Sequence, residues 1–142
     1  QVQSCAAEAQ GITVKEQSYG YEVILPHLMP KRSHRNHTVF LLEPLTYALK
    51  EFTVAHPICR LEYALIWFIY EYTEDTPIHC IRDYDNIETK EVLDIINSFF
   101  LLDDGGAFCE LHYSTRRGNR TCTRVIISSD IGLVSCQKIN GN

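Results

Sequence analysis

Seven consecutive apolar residues, Ala64-Leu65-Ile66-Trp67-Phe68-Ile69-Tyr70, run between Glu62 and Glu71. Successive side chains of a strand point to opposite faces, so an apolar run without alternation needs cover on both sides. Over Cys59–Tyr72, one face carries Leu61, Tyr63, Leu65, Trp67 and Ile69 and is apolar throughout. The other starts polar at Arg60 and Glu62 and turns apolar at Ala64, Ile66 and Phe68. Such a segment belongs at the centre of a sheet, covered on both faces over its second half. It is far shorter than the ~20 residues of a membrane span.

The flanking segments supply the rest of a fold. Ile12-Thr13-Val14 and Tyr21–Leu25 are β-like runs with a turn near Ser18-Tyr19-Gly20. Pro26–His37, with two prolines and little periodicity, reads as an exposed loop. Thr38–Leu42 reads as a short strand. Glu43-Pro44 then opens a helix, because proline at a first helical position gives up no hydrogen bond. Leu45, Leu49 and Phe52 follow at helical spacing, and His56-Pro57 closes the segment. Ile78–Asp83 reads as a further strand. Asp85 or Asn86 can cap a helix over Ile87–Leu102, with Glu88 and Glu91 at its positive end. Its apolar stripe is Val92, Ile95, Ile96, Phe99 and Phe100, and Asp103-Asp104-Gly105-Gly106 stops it. Ala107–Tyr113 and Thr121–Ser128 would pair as a hairpin across Ser114–Arg120, and Gly132–Lys138 would add a last strand. The sum is one α+β domain: an antiparallel sheet of about five strands with two helices packed on one face.

Cysteine usage suggests where such a chain works. Cys5, Cys59, Cys80, Cys109, Cys122 and Cys136 form an even set with no Cys-x-x-Cys pair, which disfavours zinc ribbons and thioredoxin-type motifs. Three structural disulfides and an oxidising compartment are the simplest expectation. Spacing alone does not fix the pairing. A link from Cys5 to Cys136 would tie down the arm Gln1–Gly11; Cys109 with Cys122 would cross the hairpin, leaving Cys59 with Cys80. Asn36-His37-Thr38 and Asn119-Arg120-Thr121 are glycosylation acceptors, at Asn36 and Asn119, that fit the same secretory route. No leader is visible, so the chain reads as a mature secreted product beginning at Gln1. At 142 residues and 45% hydrophobic it can build a core without staples, so the bridges would reinforce the fold rather than create it.

A net charge of −5 argues against a general nucleic-acid binder, which clusters Lys and Arg to displace counterions. Neither a nucleophile elbow, a phosphate-cradling glycine loop nor His-Glu-x-x-His occurs, and nothing calls for a metal or other cofactor. One acid–base candidate stands out. Glu110 and His112 alternate on one strand and so share a face, with Arg116 or Arg124 expected nearby on the paired strand. The competing reading is a solvent-face ladder of charges and hydrogen bonds. Two basic islands, Lys31-Arg32-Ser33-His34-Arg35 and Arg116-Arg117-Gly118-Asn119-Arg120, are candidate partner-binding loops. Lys31, Arg32, Arg35, Arg116, Arg117 and Arg120 are their contact residues. Tyr63, Tyr70 and Tyr72 could supply aromatic anchors.

The segment Pro44–Ala55 feeding the strand Cys59–Tyr72, the helix Ile87–Leu102 and the cysteine-bearing terminal strands around Cys109, Cys122 and Cys136 together resemble an effector architecture. It is that of the Leptosphaeria-type avirulence and suppressing (LARS) effectors of plant-pathogenic fungi. The resemblance implies a disulfide-stapled sheet with helices on one side. It also implies a secreted, non-enzymatic monomer that acts on a host protein through its surface, without nucleic acid or membrane, to modulate or trigger immune recognition. Two other readings stay open: a small ribonuclease-like hydrolase using Glu110 and His112 with an arginine, and an extracellular immunoglobulin-like module that binds receptors or cytokines. The two helical segments weigh against the second of these.

Overall fold

The apolar run forms a strand with a neighbour on each edge. The computed structural model describes residues 11–28, 39–58, 60–81, 89–102 and 109–130. In chain order these contain β1 (Thr13–Gln17), β2 (Gly20–Leu25), α1 (Val39–Ala55), β3 (Ala64–Thr73), a 3-10 turn at Ile78–Cys80, α2 (Lys90–Phe100), β4 (Cys109–Gly118) and β5 (Cys122–Ser128). The strands make one sheet in the order β1-β2-β5-β3-β4. All neighbours are antiparallel except β3 and β4, which run parallel from Ala64↔Cys109 to Thr73↔Gly118. The architecture is α+β as expected, but the sheet is mixed. Parallel neighbours need a long crossover, and the segment carrying α2 supplies it.

Both helices lie on one face of the sheet. Leu45 and Leu49 of α1 and Val92, Ile96 and Phe100 of α2 pack with Val23, Leu25, Ile66, Phe68, Tyr70, Val125 and Ile127 in a single buried cluster. Tyr21 joins the two helices, its ring 5.9 Å from Phe52 and 5.0 Å from Phe100. On the opposite face Leu65, Trp67, Ile69 and Ile126 form a smaller buried cluster against Tyr19. The doubly covered strand read from the sequence is therefore present: β3 is buried from Ala64 to Tyr72.

The β1–β2 hairpin also follows the sequence, closing through Ser18 and Tyr19 with Gln17 opposite Gly20. Gly20 has φ +146°, and a Cβ there would run into the Ile127 carbonyl of β5. Glycine is required because the hairpin presses directly on its neighbour.

Several elements differ from the sequence reading. Val39–Leu42 is the first turn of α1, not a strand, and Pro44 lies inside the helix. Proline there removes the bond that would reach the Phe40 carbonyl, yet burial of Leu45 and Leu49 on the sheet keeps the helix. Ile78–Cys80 is a 3-10 turn rather than a strand, for β3 already has a partner on each edge. α2 begins at Lys90 after Thr89, which makes no side-chain cap bond. The caps expected at Asp85 or Asn86, the stop at Asp103–Gly106, the strand at Gly132–Lys138 and the arm Gln1–Gln10 lie outside the described residues.

The largest difference concerns β4 and β5. They do not pair with each other; they flank β3 on opposite sides, and 119–121 crosses the end of β3 between them. Arg117 fastens this crossing, its Nη1 donating to the carbonyls of Thr73, Glu74 and Thr76 at the turn that leaves β3.

That topology overturns the Cys109–Cys122 bridge. Cys109 is level with Ala64 on one side of β3 and Cys122 with Glu71 on the other. Seven positions along a strand span roughly 23 Å, whereas a disulfide needs Cα atoms within about 7 Å. Among the described residues no two cysteines are joined: Cys80 is exposed, Cys109 half-buried and Cys122 buried. Cys5, Cys59 and Cys136 lie outside those residues. Iodoacetamide under native conditions should therefore label Cys80 while sparing Cys122 until denaturant is added, as peptide mass mapping will read. Truncating Phe68 to Ala in the doubly flanked strand should cost about 3–5 kcal/mol in urea unfolding.

Candidate functional site

The sheet register decides which polar side chains meet on the face opposite the helices. There Leu65, Trp67, Ile69 and Glu71 of β3 align with Glu110, His112, Ser114 and Arg116 of β4. On the other side of β3 they align with Ser128, Ile126, Arg124 and Cys122 of β5. Glu22 and Ile24 of β2 lie beyond, opposite Ile126 and Arg124. Apolar residues hold the middle of this face and polar ones its two ends.

One end is an ionic network around Glu71, the single charge within β3. Its carboxyl side chain is 4% exposed, and Oε1 accepts from Arg116 Nε at 3.0 Å and Arg124 Nε at 2.9 Å. Arg124 Nη1 donates to Glu22 Oε2 at 3.3 Å, and Gln17 Nε2 reaches the other Glu22 oxygen at 3.4 Å. The four charges cancel. Burial pushes the Glu71 carboxyl up, but hydrogen bonds and charge from Arg124 and Arg116 outweigh it and hold the group below the ordinary carboxylate range. Gly118 completes the site, because a Cβ there would collide with the Glu71 carboxylate.

The other end is a smaller, accessible cluster at the edge. Glu110 Oε1 stands 2.9 Å from His112 Nε2, and Tyr63 donates its hydroxyl to Glu110 Oε2 at 3.3 Å. A carboxylate only accepts, so Nε2 carries the proton in this pair. The Glu110 and His112 side chains are 41% and 35% exposed, and the Tyr63 ring is exposed. The hydrogen bond from His112 lowers the Glu110 carboxyl, with burial opposing it and Tyr63 adding to it. Burial and the Glu110 charge raise the Tyr63 phenol. Between the two ends, Trp67 Nε1 donates to Ser114 Oγ at 2.7 Å, which satisfies the buried indole.

The expected site residues separate accordingly. Glu110 and His112 do share a face and a hydrogen bond, and Tyr63 joins them. The expected arginine does not. Arg116 lies four positions along β4 from His112, roughly 13 Å away, and Arg124 is across β3 opposite Ile69. Both arginines serve Glu71. The second basic island is not a loop throughout: Arg116 and Arg117 are the end of β4, each bonded to neighbouring groups, and Asn119, Arg120 and Thr121 are exposed beyond it. Tyr70 and Tyr72 are core residues. Lys31, Arg32, Arg35 and Asn36 lie outside the described residues. Sequence reasoning missed Glu71 as a hub, although one acid ending an apolar run is a signal that a cation must meet it. It also missed Asn97, buried in α2, whose side chain hydrogen bonds Cys109 while burial raises that thiol's pKa. Among the described residues no three His, Cys, Asp or Glu side chains converge as a metal site, and no helix is long and apolar enough to cross a membrane.

Comparison with known proteins gives a family and little else. The model of a family of unknown function, DUF6100, matches residues 1–131. No curated protein matches the chain. Among solved structures, the crystal structure of the periplasmic domain of Helicobacter pylori MotB aligns over 92% of this chain and 94% of its own. The identity is 15% and the TM-score 0.41, a likeness that bears on neither fold nor function.

The Glu71 network predicts a sign for acid stability. A carboxyl whose folded pKa is depressed stabilises the protein fully above its unfolded value of about 4.3, and that contribution is lost as pH falls through the folded value. Unfolding free energy should therefore fall with acidification below about pH 5. Glu71→Gln should flatten this acid limb in denaturant titrations at several pH values. Gly118→Ala, which displaces the carboxylate without touching a charge, should destabilise by about 1–3 kcal/mol at neutral pH.

Proposed function

The chain belongs to the DUF6100 family, and we propose that it is a non-enzymatic binding protein whose contact surface is the Tyr63–Glu110–His112 cluster. The observation that carries this reading is the pre-ordering of three accessible side chains by their own hydrogen bonds, 2.9 Å and 3.3 Å from a shared carboxylate. Groups already held in place lose less conformational entropy on binding, and a tyrosine ring beside an imidazole offers apolar area with polar tips. The rest of this face is occupied with itself: Glu71, Arg116, Arg124 and Glu22 bond to one another, and Trp67 to Ser114. In the role implied by the resemblance to avirulence and suppressing effectors, the partner is a host protein and the chain is exported to reach it.

A second reading rests on the same 2.9 Å contact. An imidazole and a carboxylate in hydrogen-bond reach are the elements of a general acid–base pair, which would favour a hydrolase acting on RNA. The fixed arginines, both engaged by Glu71, favour binding over that chemistry.

The Tyr63→Ala/His112→Ala double variant should keep the wild-type circular dichroism spectrum, since both side chains are on the surface. Purified wild type infiltrated into leaf tissue should provoke or suppress a defence response that the double variant does not. Equal responses from the two proteins, or none from either, would count against the host-directed role. Turnover of single-stranded RNA that disappears in His112→Ala would instead establish the hydrolase.

A further inference from the structure

The Tyr63–Glu110–His112 cluster has a definite hydrogen-bonding character, because both of its mobile protons are already engaged. His112 gives Nε2–H to Glu110 Oε1, and Tyr63 gives its hydroxyl hydrogen to Oε2. What remains on every member is an acceptor. A carboxylate has about four lone-pair positions, and these two bonds fill two of them. An imidazole protonated at Nε2 has only a lone pair at Nδ1, and the phenol oxygen keeps its own lone pairs. Among the described residues no further side-chain hydrogen bond or ion pair reaches any of the three.

The cluster also carries a charge that nothing answers. The hydrogen bond from His112 holds the Glu110 carboxyl below its ordinary value, so it is ionised at neutral pH. With a neutral imidazole beside it the sum is one negative charge, and no Lys or Arg among the described residues pairs with it. Glu71 shows the contrast, since two guanidiniums meet on one of its oxygens. Arg116 of the same strand is held there and does not serve Glu110. The accessible surface is therefore singly negative, free of donors and flanked by the exposed Tyr63 ring. An acidic ligand would meet acceptors and a like charge. A neutral amide or hydroxyl would leave the charge unanswered. A guanidinium fits: it is planar, has five donors and no acceptor, binds carboxylates with charge-assisted bonds and lies favourably against an aromatic ring.

We infer that the Tyr63–Glu110–His112 cluster receives an arginine side chain of a protein partner. The inference rests on the contact-surface reading above and adds the partner's chemistry, which is opposite in sign to what the basic islands of the sequence would attract. The net charge of −5 favours encounter with a basic partner. Acetyl-arginine amide and acetyl-citrulline amide, alike in shape but not in charge, are the probes. Titrated into the purified chain and followed by proton–nitrogen NMR, the arginine compound should shift the amides of Tyr63, Glu110 and His112 saturably. The citrulline compound should bind at least about tenfold more weakly, because its donors are neutral. Glu110→Gln, an exposed change that removes the charge and keeps the shape, should lose the response with an unchanged circular dichroism spectrum. Asp75→Asn, which removes an exposed acid in the turn after β3, should bind as wild type. No saturable shift, equal shifts from citrulline, shifts centred on Asp75, or a Glu110→Gln chain that still binds would each overturn the inference. Leaf tissue separates its failure from that of the contact surface. Glu110→Gln acting as wild type where Tyr63→Ala/His112→Ala is inactive would overturn the arginine and keep the surface, whereas an active double variant would overturn both.

Discussion

Burial of β3 on both faces is the constraint from which the rest of the molecule follows. A strand with Leu65, Trp67 and Ile69 on one side and Ile66, Phe68 and Tyr70 on the other has no face to offer water. It needs strands on both edges to satisfy its backbone groups and packing on both sides to shield its side chains. β4 and β5 take the two edges, and the helices cover one face. Once β3 is enclosed in this way, a direct β4–β5 hairpin is excluded. The three residues 119–121 must step across the strand end, and Arg117 ties that step to the turn beneath it.

A charge at the end of such a strand cannot remain alone. Glu71 is carried inside by the run that precedes it, and burial by itself disfavours its charged form. Arg116 and Arg124 come from the two strands flanking β3 and converge on the same oxygen. The carboxylate thereby clamps β4, β3 and β5 together at one end, and Glu22 extends the clamp to β2. Buried ion pairs add little net stability over an apolar equivalent but are costly to break. Their value here is register: sliding β4 or β5 by one residue would turn its arginine to the other face.

The two ends of the same face thus differ in purpose. The Glu71 end is closed on itself, and Gly118 is held to hydrogen at Cα by the carboxylate above it. The Tyr63–Glu110–His112 end is accessible and held by its own hydrogen bonds. Both ends draw on β4, which supplies Arg116 to the closed end and Glu110 and His112 to the open one.

Local pattern was enough to read β3 as a strand inside the sheet with cover on both faces, though not its place next to the edge strand, and to read the β1–β2 hairpin, the apolar stripe of α2 and the α+β class. It also placed Glu110 and His112 on one face, because period-two alternation is a local property. It misjudged Val39–Leu42, where β-like residues become helix once Leu45 and Leu49 are buried on the sheet. It missed the parallel β3–β4 pairing, the separation of Cys109 from Cys122 and the convergence of two arginines on Glu71. These features depend on which strands become neighbours, and neighbours far apart in the chain leave no periodic trace in any single segment. Only the tertiary structure decides them, because strand order is set by the burial of the whole sheet rather than by any one of its strands.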